Sequence, residues 1–207
     1  MKLLTSAAFC CLSLVFVVLL GCASQTPSHQ YANLSQTWNF GKFDSAHEHA
    51  DFKVYIENIP YNFSQAKYMS AVPASSSVEN CGDGSDGKLA HLHDMDGDVA
   101  HKHATGVTWG YFFSLLNISI DDTCMRFDDG KEYCDNGSKV WRYFVNGTEI
   151  PSISGYEIHQ SDRVLITYGA SDEQAKSQFA TVTSKASQKD AANICGGLPA
   201  GAAASGN

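Results

Sequence analysis

Basic residues are scarce in this chain: 14 Lys and Arg stand against 22 Asp and Glu, giving a formal net charge of −8. That balance argues against nucleic-acid binding, which needs a basic face, and it favours the attraction of cations. None of the seven cysteines forms a Cys-x-x-Cys, which argues against a thioredoxin-type exchange site. Gly-x-Ser-x-Gly, His-Glu-x-x-His and a phosphate-binding loop are all missing. Internal repeats are missing too, apart from a recurring His-x-His.

The N-terminus carries a targeting signal. Lys2 precedes an uncharged apolar run, Leu3 to Leu20, that ends in Leu19-Leu20-Gly21-Cys22. This resembles the lipobox of prokaryotic lipoproteins. The resemblance implies that residues 1–21 are a signal peptide, and that Cys22 is acylated and becomes the mature N-terminus. The protein would then sit outside the cytoplasm, held to the membrane by lipid. A run of this length also fits a plain signal peptide or an uncleaved anchor.

Removing residues 1–21 from the 207 leaves 186, enough for one domain. The expected organisation is a polar tether over 22–37, one domain over 38–195 and a disordered Gly/Ala-rich tail over 196–207. Four cysteines remain beyond the signal and Cys22: Cys81, Cys124, Cys134 and Cys195. An even number in an oxidising compartment suggests two disulfides. Three connectivities are open. A local Cys124–Cys134 bridge would leave Cys81–Cys195; thiolate metal ligation or a redox pair is the functional alternative.

Apolar alternation through Ala50, Phe52, Val54 and Ile56 predicts a half-buried strand, with a second short strand near Tyr61–Phe63. Trp109, Phe112, Phe113 and Leu116 fall on one helical stripe, and Thr108 is placed to cap it. Asp128-Asp129-Gly130 and Asn146-Gly147 mark hairpin turns, the second following a strand over 140–145. Arg163 to Tyr168 predicts a central strand. Ser171 and Gln174 have capping-box spacing for a second helix running to about Asn193.

Histidine is what the chain has in concentrated form. Four of its eight histidines lie in residues 90–103, as His91-x-His93 and His101-x-His103 around an acidic turn. A third pair, His47 and His49, lies upstream. On a strand, His-x-His puts both imidazoles on one face, about 6–7 Å apart, within reach of one Cu²⁺ or Zn²⁺ ion. Register decides whether the two later pairs meet. A two-residue turn at Asp96-Gly97 would pair His91 with Lys102 and send the pairs to opposite faces. A three-residue loop, Asp96-Gly97-Asp98, would pair His91 with His103 and gather all four. His47 and His49 share the parity of Asp51 and Lys53, opposite Phe52. Asp94, Asp96 and Asp98 suit either a turn, carboxylates orienting the histidines, or the start of a calcium loop that lacks its closing Glu.

The combination of His47-x-His49-x-x-Phe52, His91-Leu92-His93-Asp94-x-Asp96-Gly97-Asp98, His101-x-His103, Gly106-Val107-Thr108 and Asp162-Arg163-Val164-Leu165-Ile166-Thr167-Tyr168-Gly169 is similar to a group of small exported prokaryotic proteins without established function. The match covers about residues 45–170. Some members carry a protein-disulfide-isomerase label; this chain lacks the Cys-x-x-Cys such an activity uses.

These readings converge on an α+β domain: a mixed or antiparallel sheet with one or two helices packed on one face, in a β-grasp-like order. The leading functional expectation is a lipid-anchored, extracytoplasmic copper- or zinc-binding protein. Its ligands would come from His91, His93, His101 and His103, with His47 and His49. A metal-dependent redox or hydrolytic enzyme, and a metal-free surface module with pH-responsive histidines, are the alternatives.

Overall fold

One parallel pair of strands lies at the centre of the sheet. A computed structural model of the chain describes residues 38–43, 45–70 and 88–191. The expectations for the signal segment, Cys22, the tether, Cys81, Cys195 and the tail lie outside those residues. In chain order the elements are β1 (Glu48–Ile56), β2 (Ile59–Pro60), a 3-10 turn (Ala66–Tyr68), β3 (Ala90–His91), β4 (Val99–Lys102), α1 (Trp109–Leu115), β5 (Ser119–Ile120), β6 (Cys124–Arg126), β7 (Glu132–Cys134), β8 (Trp141–Val145), β9 (Thr148–Ile150), β10 (Arg163–Tyr168), α2 (Asp172–Phe179) and α3 (Lys185–Ala191).

β1 and β10 run parallel, with Asp51 opposite Arg163 and Ile56 opposite Tyr168. All other pairings are antiparallel, in the order β3-β4-β1-β10-β8-β9 with β2 also on β1. A parallel centre flanked by antiparallel pairs, with helices packed on it, gives an α+β fold built on a mixed sheet. A small antiparallel sheet, β5-β6-β7, stands apart from this order.

Helices cover both faces rather than one. Ala50, Phe52 and Val54 face Trp109, Phe112 and Phe113 of α1 in the main core. Thr108 caps that helix by accepting the Tyr111 N–H. Gly110, a weak helix former, is explained by a close approach: a Cβ there would stand 2.6 Å from the Ser154 carbonyl oxygen. On the other face Tyr55 and Leu165 pack with Ala175 and Val182 from the α2–α3 segment. The apolar run of β10 serves both layers, since Val164, Leu165 and Ile166 are all fully buried.

Two further expectations are corrected. The second short strand is Ile59–Pro60, after a turn at Glu57-Asn58 where both residues have positive φ, and not Tyr61–Phe63. The helix opened by Ser171 does carry its capping box, but it stops at Phe179 and α3 is separate. Arg163 explains the break. Its guanidinium donates to the carbonyls of Val182 and Thr183, satisfying acceptors that a continuous helix would have used internally. Buried Asp51 then accepts the N–H groups of Lys185 and Ala186, each at 2.9 Å, at the start of α3.

Candidate metal centre

Directly opposed residues of antiparallel neighbours point to the same side of a sheet. β4 lies between β3 and β1, so one residue on it can meet a partner on each. His101 is that residue: it stands opposite His91 on β3 and opposite His49 on β1. Continuing the β1–β4 register by two residues brings His103 to His47, whose ring centroids are 4.9 Å apart. The result is a closed circuit of six imidazoles. Centroids are 3.9 Å apart for His93–His101, 4.4 Å for His101–His49 and 4.9 Å for His49–His47. They are 4.9 Å apart for His103–His91 and 5.4 Å for His91–His93. All three His-x-His pairs meet in one place. His91, His101 and His103 are buried, His49 and His93 are half-buried, and His47 is exposed. His159 is exposed and lies against Tyr156, outside the circuit; His29 is outside the described residues.

The observed register is neither of the two considered. His91 faces His101, not Lys102 or His103. The offset from the three-residue-loop register is two residues, so side-chain parity is preserved and the imidazoles still share a face. The connection, residues 92–98, turns at Asp94-Met95 and not at Asp96-Gly97. Both turn residues have φ of 57°, and the Asp96 N–H donates to the His93 carbonyl, a mirror-image turn. A methionine in the left-handed region is a strained choice, and Met95 projects into solvent. Gly97 serves packing: a Cβ there would overlap the backbone of Phe63 and Ser64.

That turn delivers Asp94 to His93. Asp94 Oδ2 lies 2.7 Å from His93 Nδ1. An ionised carboxylate only accepts, so Nδ1 bears the proton, and in the neutral imidazole Nε2 then presents a lone pair. His93 Nε2 in turn lies 3.2 Å from His101 Nδ1. Two nitrogens bound to one tetrahedral ion at about 2.0–2.1 Å are ~3.3 Å apart. The pair therefore stands at ligand-to-ligand spacing and shares a hydrogen bond. His91, His93 and His101 could hold a metal ion, their ligand atoms all lying within 4.8 Å of one another; His47, His49 and His101 form a second such group. Burial, followed by the neighbouring His103, His93 and His47, pushes the pKa of His91 down to about 3. It is neutral at physiological pH, the form that ligates.

Asp96 and Asp98 take a different part from the calcium-like one considered. Their oxygens share the ammonium of Lys185, at 2.9 and 3.2 Å, and Asp98 also binds Lys53 at 2.9 Å. Burial opposes ionisation of Asp98, but the two lysines outweigh it and hold its carboxyl below the ordinary range. These pairs clamp the 92–98 connection onto β1 and α3.

Lys102 supports the sheet behind the histidines, and nothing in its sequence context singled it out beyond its parity with the buried Ala100. It is 1 % exposed, on the opposite face from the histidines. Its Nζ donates to Glu48 at 2.6 Å, to Glu157 at 2.7 Å and to the Ile158 carbonyl at 2.7 Å. Phe43 stacks on His103, centroids 5.6 Å apart, as a further cover. Cys124 and Cys134 face each other across β6–β7 and are disulfide-bonded, away from the histidines.

No family model, curated protein or solved structure matches this chain. Three imidazole nitrogens on a convergent face suit a borderline metal ion, and each group leaves a fourth tetrahedral position for water, a further imidazole or a substrate.

Proposed function

We propose that this protein binds copper or zinc through its clustered histidines, outside the cytoplasm, tethered to the membrane by lipid on Cys22. The observation that carries the metal reading is the His93–His101 contact. An Asp-oriented imidazole and a buried imidazole hold their nitrogens 3.2 Å apart, with a third imidazole, His91, in the same group. The leader ending in Leu19-Leu20-Gly21-Cys22 and the Cys124–Cys134 disulfide support export to an oxidising compartment. The acidic net charge favours cation approach.

Capture or buffering is the reading favoured over catalysis. Burial supports it: His91 and His101 are 2 % and 4 % exposed, so ligands drawn from them would enclose an ion rather than present it to a substrate. A hydrolytic or redox reaction is the second reading, because three-histidine groups leave the open position that catalytic zinc uses. Calorimetry of the full chain in detergent, with Cu²⁺ and Zn²⁺ separately, tests the proposal. Binding tighter than about 10 μM supports it, and weaker or no binding for both ions removes it.

A further inference from the structure

The two three-histidine groups share one member. His101 belongs with His91 and His93 on one side and with His47 and His49 on the other. It occupies the middle strand of three, so the two groups are displaced from each other by about one strand spacing, ~5 Å. An imidazole has two nitrogens whose lone pairs diverge, and each nitrogen can serve one ion. His101 Nδ1 is turned toward His93 Nε2 at 3.2 Å, which assigns that nitrogen to the His91–His93 group. Nε2 lies across the same ring, and the His49 ring is nearly perpendicular to it, at 89°, with centroids 4.4 Å apart.

Resting on the metal-binding reading above, we propose that the cluster takes two transition-metal ions, with His101 bridging them as an imidazolate. The His91–His93–His101 Nδ1 group holds one ion. The His47–His49–His101 Nε2 group holds the other. His103 completes the arrangement: it is buried and its ring lies 4.9 Å from both His91 and His47, one member of each group. Bridging requires His101 to give up its remaining ring proton. Two metal–nitrogen bonds form at His101 and one N–H bond breaks; the proton passes to the buffer, and no electron moves. Asp94 provides a negative charge at the His93 side.

The test is titration of the full chain in detergent with Cu²⁺ alone, followed by calorimetry and by electron paramagnetic resonance of frozen samples. Two ions per chain are expected. At full loading the integrated signal should fall below the bound copper, and a half-field transition of a coupled pair should appear. His101→Ala should abolish the half-field transition and weaken both ions at least about 10-fold. His93→Ala changes a half-buried residue and guards against misfolding; it should leave one ion bound, uncoupled. One ion per wild-type chain, or two ions with independent spins unaffected by His101→Ala, would overturn the bridge while leaving metal binding intact. No copper binding at all would instead remove the underlying reading.

Discussion

Lys102 Nζ stands 2.6 Å from Glu48 Oε2 across the β1–β4 pair, on the reverse face of the sheet from the histidines. This cross-strand pair falls between the two histidine rows, His101–His49 and His103–His47. It fixes the register that brings the rows together, since a slip by one residue would send the imidazoles of one strand to the other face. Replacing Lys102 with Met leaves Glu48 and Glu157 facing each other without a cation. The expected cost is about 1–2 kcal/mol in urea denaturation, since the Glu48 and Glu157 side chains keep 29 % and 34 % of their exposure, with weaker Cu²⁺ or Zn²⁺ binding although no ligand is touched. Unchanged metal affinity in a folded Lys102→Met protein would contradict this role.

Asp94 is the orienting group. Asp94→Asn keeps the size but replaces a charged acceptor with a neutral amide beside His93 Nδ1. Metal affinity should fall roughly 10- to 100-fold, while the melting temperature of the metal-free protein moves little because Asp94 is exposed. Calorimetry beside a thermal melt separates the two effects.

Acid should destabilise the metal-free fold. The pKa of His91 is about 3 in the folded chain, lowered by burial and then by neighbouring imidazoles, and near 6.5 when unfolded. Between those values the unfolded chain binds a proton the folded chain refuses, so stability rises with pH by up to ~1.4 kcal/mol per unit. The contribution is complete above pH ~6.5 and is lost as the pH falls toward 3. Asp98 acts in the same sense at the acid end. Burial opposes its ionisation, but Lys53 and Lys185 hold it ionised, so its contribution is lost as pH falls through its lowered folded pKa. Urea midpoints between pH 4 and 7.5 should climb with pH, and His91→Gln should flatten the slope. A flat wild-type profile contradicts the assignment.

Gly97→Ala isolates the packing role of the loop. The added methyl would overlap the backbone at Phe63 and Ser64, so the 92–98 connection must move. A loss of 1–3 kcal/mol is expected, as for other overpacked sites, together with looser metal binding. Stability equal to wild type would mean that the connection can shift freely.

Local chemistry was legible in the sequence. The Trp109–Phe112–Phe113–Leu116 stripe with its Thr108 cap is α1, and Asn146-Gly147 joins β8 to β9. Arg163 to Tyr168 is the central strand, and parity placed His47 and His49 on the face of Asp51. What was not legible depends on distant partners. Strand β4 lies on β1, about fifty residues earlier in the chain, so the register of His101 against His49 is set by non-local pairing. The turn at Asp94-Met95 hides because methionine is no turn signal, whereas the adjacent Asp96-Gly97 is one and serves packing instead. Lys102 resembles a solvent-facing lysine until Glu48 and Glu157 are brought to it. The break before α3 needs Arg163, which precedes it by some twenty residues.

The proposed lipid anchor on Cys22 has its own check. Intact-mass analysis of protein taken from the membrane fraction should show a chain beginning at Cys22 and carrying acyl mass. A chain beginning elsewhere, or Cys22 without lipid, would contradict the anchor and leave the metal site untouched.

The most direct test of the central claim is the metal content of the full chain, expressed without an affinity tag, after equilibrium dialysis against about 50 μM copper or zinc, corrected for free ion. Wild type should retain copper or zinc in stoichiometric amount, and a His91→Ala/His93→Ala/His101→Ala variant should retain none. Equal metal in both proteins, or none in either after copper and zinc have been supplied, would contradict a histidine metal centre.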